Sequence, residues 1–193
     1  MADTKQTKTI GEHHVASELA RRGWAPALTR DWLERTDILA VKPDDPNRRM
    51  VEIQVKTARG ARWEKISWPL GAKSQGPSRH EHEYFVMVAV PHDDAVPPRS
   101  FVVPRSHVAA AAWIEHMDWL TQPGVPPGTR NASVDRSRVT LATFEPYRDR
   151  WDLLLVDEHS APVLLPSHFR ALAAEPRVGL PPEHPWHIEL PAW

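Results

Sequence analysis

The chain has 193 residues, of which 41% are hydrophobic and 25% charged, a composition typical of one folded globular protein. Its 24 basic and 25 acidic side chains give a formal net charge of −1, so any binding to nucleic acid must come from a local patch. The absence of cysteine excludes disulfides and thiolate metal sites. Because no apolar run is typical of a signal peptide or a membrane span, we expect a cytoplasmic protein with no membrane partner.

The first predicted element is a helix from about Thr9 to Arg22, which Gly23 is suited to end. Glu12 lies on the same helical face as the apolar residues Val15 and Leu19. A carboxylate on an apolar face needs a partner, a hydrogen bond or a metal ion. The alternative is a first-turn glutamate that is favoured by the helix dipole and turns back to water.

The second element is a hairpin whose strands are predicted over residues 36–41 and 50–57, joined by a turn rich in Pro, Asp and Asn. Since a strand alternates its faces, the apolar residues of the second strand point into a core. The opposite face carries Glu52, Gln54 and Lys56. Asp37 begins the first strand and is expected beside this polar row. The row is either a functional site or the solvated face of an ordinary hairpin.

Glu12 on a first helix, Asp37 before a strand, and the Glu52–Lys56 strand, in that order, resemble the core of the PD-(D/E)xK nuclease superfamily. Archaeal Holliday-junction resolvases and many restriction endonucleases belong to this superfamily, and the resemblance covers about residues 9–60. Thr36 stands where proline is common, and Gln54 replaces the acid of the motif, as in Q-x-K variants. The resemblance implies an α/β fold with a restriction-endonuclease-like core, in which helices flank a central mixed β-sheet.

The same resemblance implies a metal-dependent nuclease that hydrolyses phosphodiester bonds in DNA. Its Mg²⁺ site, in which Mn²⁺ can substitute, would be formed by Asp37, by Glu52 or Gln54 and by a backbone carbonyl near Val55. Glu12 would bind a second metal ion or a metal-bound water. Lys56 would orient the attacking water or neutralise charge on phosphorus. Two alternatives remain open: a catalytically inactive nuclease-fold module that binds nucleic acid or protein, and a soluble α/β interaction protein without a metal site.

Basic residues downstream of the motif are candidate contacts to DNA phosphates. Residues 58–83 are predicted to be largely irregular, with a short strand at 66–68, and they interleave bases with tryptophan. The candidates are Arg48, Arg49, Arg59, Arg62, Trp63, Lys65, Lys73 and Arg79. The alternative for Arg48 and Arg49 is that they belong to an exposed hairpin turn. The alternative for the others is that they belong to a surface loop whose tryptophans pack on the core.

The rest of the chain is predicted to complete the sheet and to extend it. Residues 84–90 are nearly all apolar and predict a buried central strand, followed by a strand at 101–103. Further elements are a helix from an N-cap at Ser106 to Leu120, a strand at 138–141 and a helix at 167–174. We assign residues 1–160 to the nuclease-like domain and 161–193 to a proline-rich C-terminal extension, packing on the domain or on a partner subunit in a homodimer.

Overall fold

The computed structural model describes residues 4–30, 33–126 and 128–193. The helices are α1 (Thr4–Arg21), α2 (Ala72–Gln75), α3 (Arg105–Leu120), α4 (Leu141–Phe144) and α5 (His168–Ala174). The strands are β1 (Ala25–Leu28), β2 (Ile38–Val41), β3 (Met50–Gly60), β4 (Ser67–Pro69), β5 (Glu83–Pro91), β6 (Arg99–Pro104) and β7 (Arg138–Thr140). Six short 3₁₀ turns connect them, at Trp63–Lys65, Val134–Arg136, Glu145–Tyr147, Trp151–Leu155, Glu158–Ser160 and Pro185–His187.

A five-stranded mixed sheet forms the centre of the fold, in the order β1-β2-β3-β5-β6. Strands β1, β2 and β3 form an antiparallel meander, β5 runs parallel to β3, and β6 is antiparallel to β5. Helices α1 and α3 pack against this sheet, and β4 pairs with β7 in a separate two-stranded sheet. The predicted α/β class with a helix-flanked mixed sheet is therefore confirmed.

The predicted hairpin is formed by β2 and β3, with Ile38 opposite Ile53. Val51, Ile53 and Val55 are buried, as their alternation predicts. The central strand is also confirmed, because β5 is buried along its length between β3 and β6. Strand β1, which contains Pro26, was not predicted, since its four residues show no alternation and it pairs only along one edge.

Several element boundaries differ from the prediction. Helix α1 begins at Thr4, five residues early, and ends as expected before Gly23, whose φ of 75° requires glycine's freedom. Ser106 lies inside α3 and is not its N-cap; its N–H donates to the buried Glu158 carboxylate, which is distant in sequence. Residues 58–83 are more regular than predicted, because β3 continues to Gly60 and is followed by β4 and α2.

The segment from residue 161 onward packs on the same hydrophobic core as the sheet. Trp186 is buried, with its ring centroid 5.3 Å from that of His107, and Trp193 lies 5.0 Å from Trp186. The predicted helix at 167–174 is present as α5. Among the described residues, no helix is both long enough and apolar enough to cross a bilayer.

Candidate metal centre

Asp37 lies immediately before β2, and the hairpin fixes its carboxylate. Its backbone N–H donates to the Ile53 carbonyl at 2.9 Å. Its Oδ2 accepts from the Val55 N–H at 2.8 Å. The carboxylate cannot turn away without losing its hydrogen bond from the Val55 N–H, while the backbone bond to Ile53 holds Asp37 beside β3. Asp37 therefore accepts the hydrogen bond of the Val55 N–H. It does so beside the backbone carbonyl near Val55 that was predicted as a metal ligand.

Helix α1 brings Glu12 to Asp37 by an unusually close contact with the sheet. A Cβ at the preceding Gly11 would lie 1.8 Å from Thr57 Oγ1, so only glycine permits this approach. The ammonium of Lys8 lies 3.3 Å from Glu12 Oε1 and 3.6 Å from Asp37 Oδ1. Burial raises the pKa of the Glu12 carboxyl, Lys8 opposes this, and the Asp37 carboxylate reinforces it. Glu12 is thus turned to the hairpin.

Glu12, Asp37 and Gln54 line one polar cavity of about 190 Å³, together with Lys8 and residues from the segment that precedes β2. Their carboxylate and amide oxygens are ligands that a hard divalent cation such as Mg²⁺ prefers. Two carboxylates from separate elements already share one cationic group here, the Lys8 ammonium. By this observation the donor set fits a divalent cation.

Lys56 follows Gln54 on the same face of β3 and is partly buried. Burial lowers the pKa of its ammonium, the negative charge of Asp37 opposes this shift, and the charges of Arg105 and Lys8 reinforce it. The structure brings Glu12, Asp37 and Gln54 to one cavity, although they come from three segments of the chain, and Lys56 lies outside the lining of that cavity.

The Gln54 side chain is hydrogen-bonded to Arg105, the first residue of α3. Arg105 Nη2 donates to Gln54 Oε1 at 2.9 Å. Arg105 is only 1% exposed, and its Nε forms an ion pair with Glu83 Oε2 at 2.6 Å. Arg35 Nη2 donates to the same Glu83 oxygen at 2.9 Å. The amide at position 54 is thus a neutral acceptor for a buried guanidinium whose charge is already compensated.

Glu52 faces a different space from the other predicted ligands. Its Oε2 accepts from Thr36 Oγ1 at 2.7 Å, and its Oε1 lies 3.1 Å from His80 Nε2. Burial raises its pKa, but the hydrogen bonds from Thr36 and His80 outweigh burial and lower the pKa of the Glu52 carboxyl below its usual value. Glu52 stands opposite Leu39 in the hairpin, two residues along β2 from Asp37, and its hydrogen bond from Thr36 links it to the residue before Asp37.

Glu52 lines a large open cleft of about 1120 Å³ that adjoins the candidate centre. This cleft gathers three of the predicted DNA contacts, Arg48, Arg49 and Arg79. Arg49 is engaged within the protein, since its Nη2 donates to Asp157 at 2.7 Å and its Nε to the Leu154 carbonyl at 2.9 Å.

The other predicted DNA contacts lie outside this cleft. Arg59 Nη2 donates to Asp94 at 3.1 Å, and the face of Trp63 is covered by the Arg99 guanidinium at 3.9 Å. The remaining three, Arg62, Lys65 and Lys73, are exposed. The structure therefore divides the predicted basic set into a cleft group and a scattered group.

A second group of possible ligands lies in the cleft. The ligand atoms of Glu81, His82 and Asp157 all lie within 4.8 Å of one another. Arg49 Nη2 already contacts both His82 Nδ1, at 3.2 Å, and Asp157, at 2.7 Å. Unlike the Lys8 ammonium, which is half exposed, this guanidinium is also held by the Leu154 carbonyl, so a cation there would meet a positive charge that stays in place.

Three residues of the centre were missed from the sequence. Lys8 carried a usable signal, because it precedes Glu12 by four residues on one helix, the spacing of an ion pair. Thr36 was noted only as a replacement for proline, not as a hydrogen-bond donor to Glu52. Arg105 had no local signal, because its contact with Gln54 spans 51 residues.

Comparisons with protein-family models, with curated proteins and with solved structures found no match for this chain.

Proposed function

We propose that this protein is a metal-dependent nuclease with a restriction-endonuclease-like core, related in its site to the PD-(D/E)xK superfamily. The observation that carries the proposal is the shared cation position. Carboxylates from α1 and from the start of β2 contact one ammonium in a polar cavity that Gln54 also lines, and Lys56 follows Gln54 on the same face of β3. An ordinary hairpin face gives no reason for a helix glutamate to be turned inward.

The order of elements is compatible with this proposal. A helix followed by an antiparallel meander, and then by a strand parallel to β3, gives a mixed sheet flanked by helices, as the resemblance implies. Strand β5 lies beside β3, so the polar row belongs to an interior strand of the sheet. The proline-rich segment after residue 160 is proposed as an extension that covers this core.

Each residue has a separate role in the proposed site. Asp37 and Glu12 would hold the metal ion, and Gln54 Oε1 would complete the protein ligands in the same cavity. When bound, the ion polarises a phosphoryl oxygen and acidifies the attacking water. Lys56 supplies a compact ammonium to orient that water or to offset charge on phosphorus. Glu52, held by Thr36 and His80, supports the hairpin at Asp37.

DNA is the proposed substrate, and the adjoining cleft is its proposed path. Arg48 and Arg79 are exposed at this cleft, where they can contact backbone phosphates. The cleft also carries the carboxylates of Asp45, Glu52, Glu81 and Asp157. Contact with DNA would therefore depend on the individual Arg48 and Arg79 side chains rather than on a net positive surface. The interaction is therefore expected to weaken as salt rises.

A cleavage assay with Mg²⁺ on linear, supercoiled and branched DNA tests the proposal. We expect Asp37→Asn and Lys56→Met to lower the cleavage rate by roughly 10²–10³-fold or more, since each removes a charge used at the reacting phosphate. Asp44→Asn is the matched control, because Asp44 is exposed in the hairpin turn and lies outside the cavity. Parent-level cleavage by either site variant would refute the assignment.

A catalytically inactive module of the same fold is the second candidate, and the Gln54–Arg105 contact favours it. The neutral amide removes one negative ligand, and its oxygen already accepts a hydrogen bond from Arg105. This candidate predicts that the parent binds DNA through the cleft without cutting any of the three substrates. Arg48→Ala and Arg79→Ala would then weaken binding.

A further inference from the structure

The Lys8 ammonium makes a contact beyond its own helix, which its spacing from Glu12 does not account for. A lysine four residues before a glutamate commonly forms an exposed ion pair along a helix. Here the Lys8 ammonium also reaches across to the hairpin, 3.3 Å from Glu12 Oε1 and 3.6 Å from Asp37 Oδ1. It therefore bridges carboxylates from two separate elements.

An ammonium and a divalent cation at this pair would compete for the same oxygens. A divalent cation held by Glu12 and Asp37 would take its oxygen ligands from the carboxylates that the Lys8 ammonium contacts. Both groups would share one polar cavity of about 190 Å³. Two cations side by side there would also repel each other across a short distance.

The Glu12 and Asp37 carboxylates are held more rigidly than the Lys8 side chain that contacts them. Asp37 is fixed by the Val55 N–H, and α1 is fixed on β3 by the close contact at Gly11. The Lys8 side chain, in contrast, is 52% exposed and extends from the first half of α1 on a flexible four-carbon stem. It can leave the cavity for solvent without moving the backbone, whereas the carboxylates stay in place.

We propose that Lys8 is a built-in competitor for the divalent cation at this centre. In the metal-free protein its ammonium keeps Glu12 and Asp37 together, and metal binding displaces it into solvent. Lys8 thereby sets the metal concentration at which the centre fills. This inference rests on the proposed function only in taking the Glu12–Asp37 pair as the place where a divalent cation binds.

The test is a titration of the purified full chain with Mn²⁺, followed by electron paramagnetic resonance of free Mn²⁺ and by calorimetry, without DNA. We expect Lys8→Met to bind Mn²⁺ roughly five- to thirty-fold more tightly than the parent, the range given by two partly exposed ion pairs. Lys5→Met is the matched control, because it removes the same charge from the same helix one turn earlier. We expect it to change the affinity by less than about twofold at physiological salt, where screening weakens distant charges.

The outcomes separate the inference from the proposed function. One outcome overturns the role of Lys8 alone. In it the parent binds Mn²⁺, Asp37→Asn abolishes that binding, and Lys8→Met binds Mn²⁺ no more tightly than the parent. Equal tightening by Lys8→Met and Lys5→Met also overturns it, because the effect would then be general electrostatics. Absence of Mn²⁺ binding in the parent and in Lys8→Met overturns both the metal centre and the inference. Lys8→Gln, which keeps a polar side chain, repeats the measurement if Lys8→Met alters the circular dichroism.

Discussion

The close contact between Gly11 and Thr57 gives the sharpest mutational prediction, because it holds α1 against the sheet. In Gly11→Ala, the added Cβ would lie 1.8 Å from Thr57 Oγ1, 3.0 Å from its Cβ and 3.1 Å from its Cγ2. Rotating Thr57 does not relieve the clash, since the Cβ itself remains too near. Helix α1 must therefore move outward by roughly 1 Å, in the range where overpacking costs about 1–3 kcal/mol.

Two effects oppose each other in this variant. Alanine is a better helix former than glycine by about 1 kcal/mol, which offsets part of the clash. We expect a net loss of roughly 0–2 kcal/mol in the free energy of unfolding, measured by urea denaturation. The functional loss should be larger, because Glu12 follows Gly11 and moves with it, and a 1 Å displacement of a catalytic group can cost about 10²-fold in rate.

A double-mutant cycle with Thr57→Ala isolates the contact. Thr57→Ala alone should be nearly neutral, since the Thr57 hydroxyl is buried without a hydrogen-bond partner. In the double variant the clash with Oγ1 and Cγ2 is absent, so part of the stability and of the Mn²⁺ affinity should return, with a coupling of about 1–2 kcal/mol. A Gly11→Ala protein with full affinity and no coupling to Thr57→Ala would refute this account of how α1 positions Glu12.

Two further predictions concern pH. Burial raises the pKa of the Glu115 carboxyl to about 7, so between pH 4.5 and 7 the folded state binds more protons than the unfolded state and stability falls as pH rises. In the parent the free energy of unfolding should fall by roughly 2–3 kcal/mol across that window, and in Glu115→Gln this fall should be absent, as measured by urea denaturation. The same dependence on pH in the variant and the parent would contradict this prediction. Burial lowers the pKa of His107 to about 3 and that of His184 to about 4. Below pH 6.5 the unfolded state therefore binds more protons than the folded state, and the free energy of unfolding falls as pH falls. His184→Gln should flatten the acid side of the stability profile between pH 6.5 and 4, and a profile as steep as the parent's would count against this explanation.

The elements of the sheet could be predicted where one face or both are buried. The alternation in residues 51–55 and the apolar run of β5 are local consequences of burial, so the sequence carries them directly. Strand β1 has no such pattern, because it is a short edge strand that depends on its pairing with β2. The pairing of β4 with β7 joins residues about 70 positions apart, and no local pattern specifies such a partner.

Glu12, Asp37 and Lys56 could be singled out from the sequence, whereas the contacts that hold Gln54 and Glu52 could not. Glu12 stood out as a carboxylate on an apolar helix face, and Asp37 as an acid at the start of a strand. The contact of Arg105 with Gln54 depends on how α3 meets the sheet, so it follows only from the tertiary structure. The same holds for the separation of Glu52 from the cavity, because its direction is set by Thr36 and His80.

Diffraction from crystals soaked in Mn²⁺, measured at a wavelength with strong manganese anomalous scattering, tests the central claim most directly. The account predicts an anomalous peak about 2.1–2.2 Å from a carboxylate oxygen of Glu12 and of Asp37, with the Lys8 side chain moved into solvent. A peak confined to Glu81, His82 and Asp157, with the Lys8 ammonium still between the two carboxylates, would contradict it.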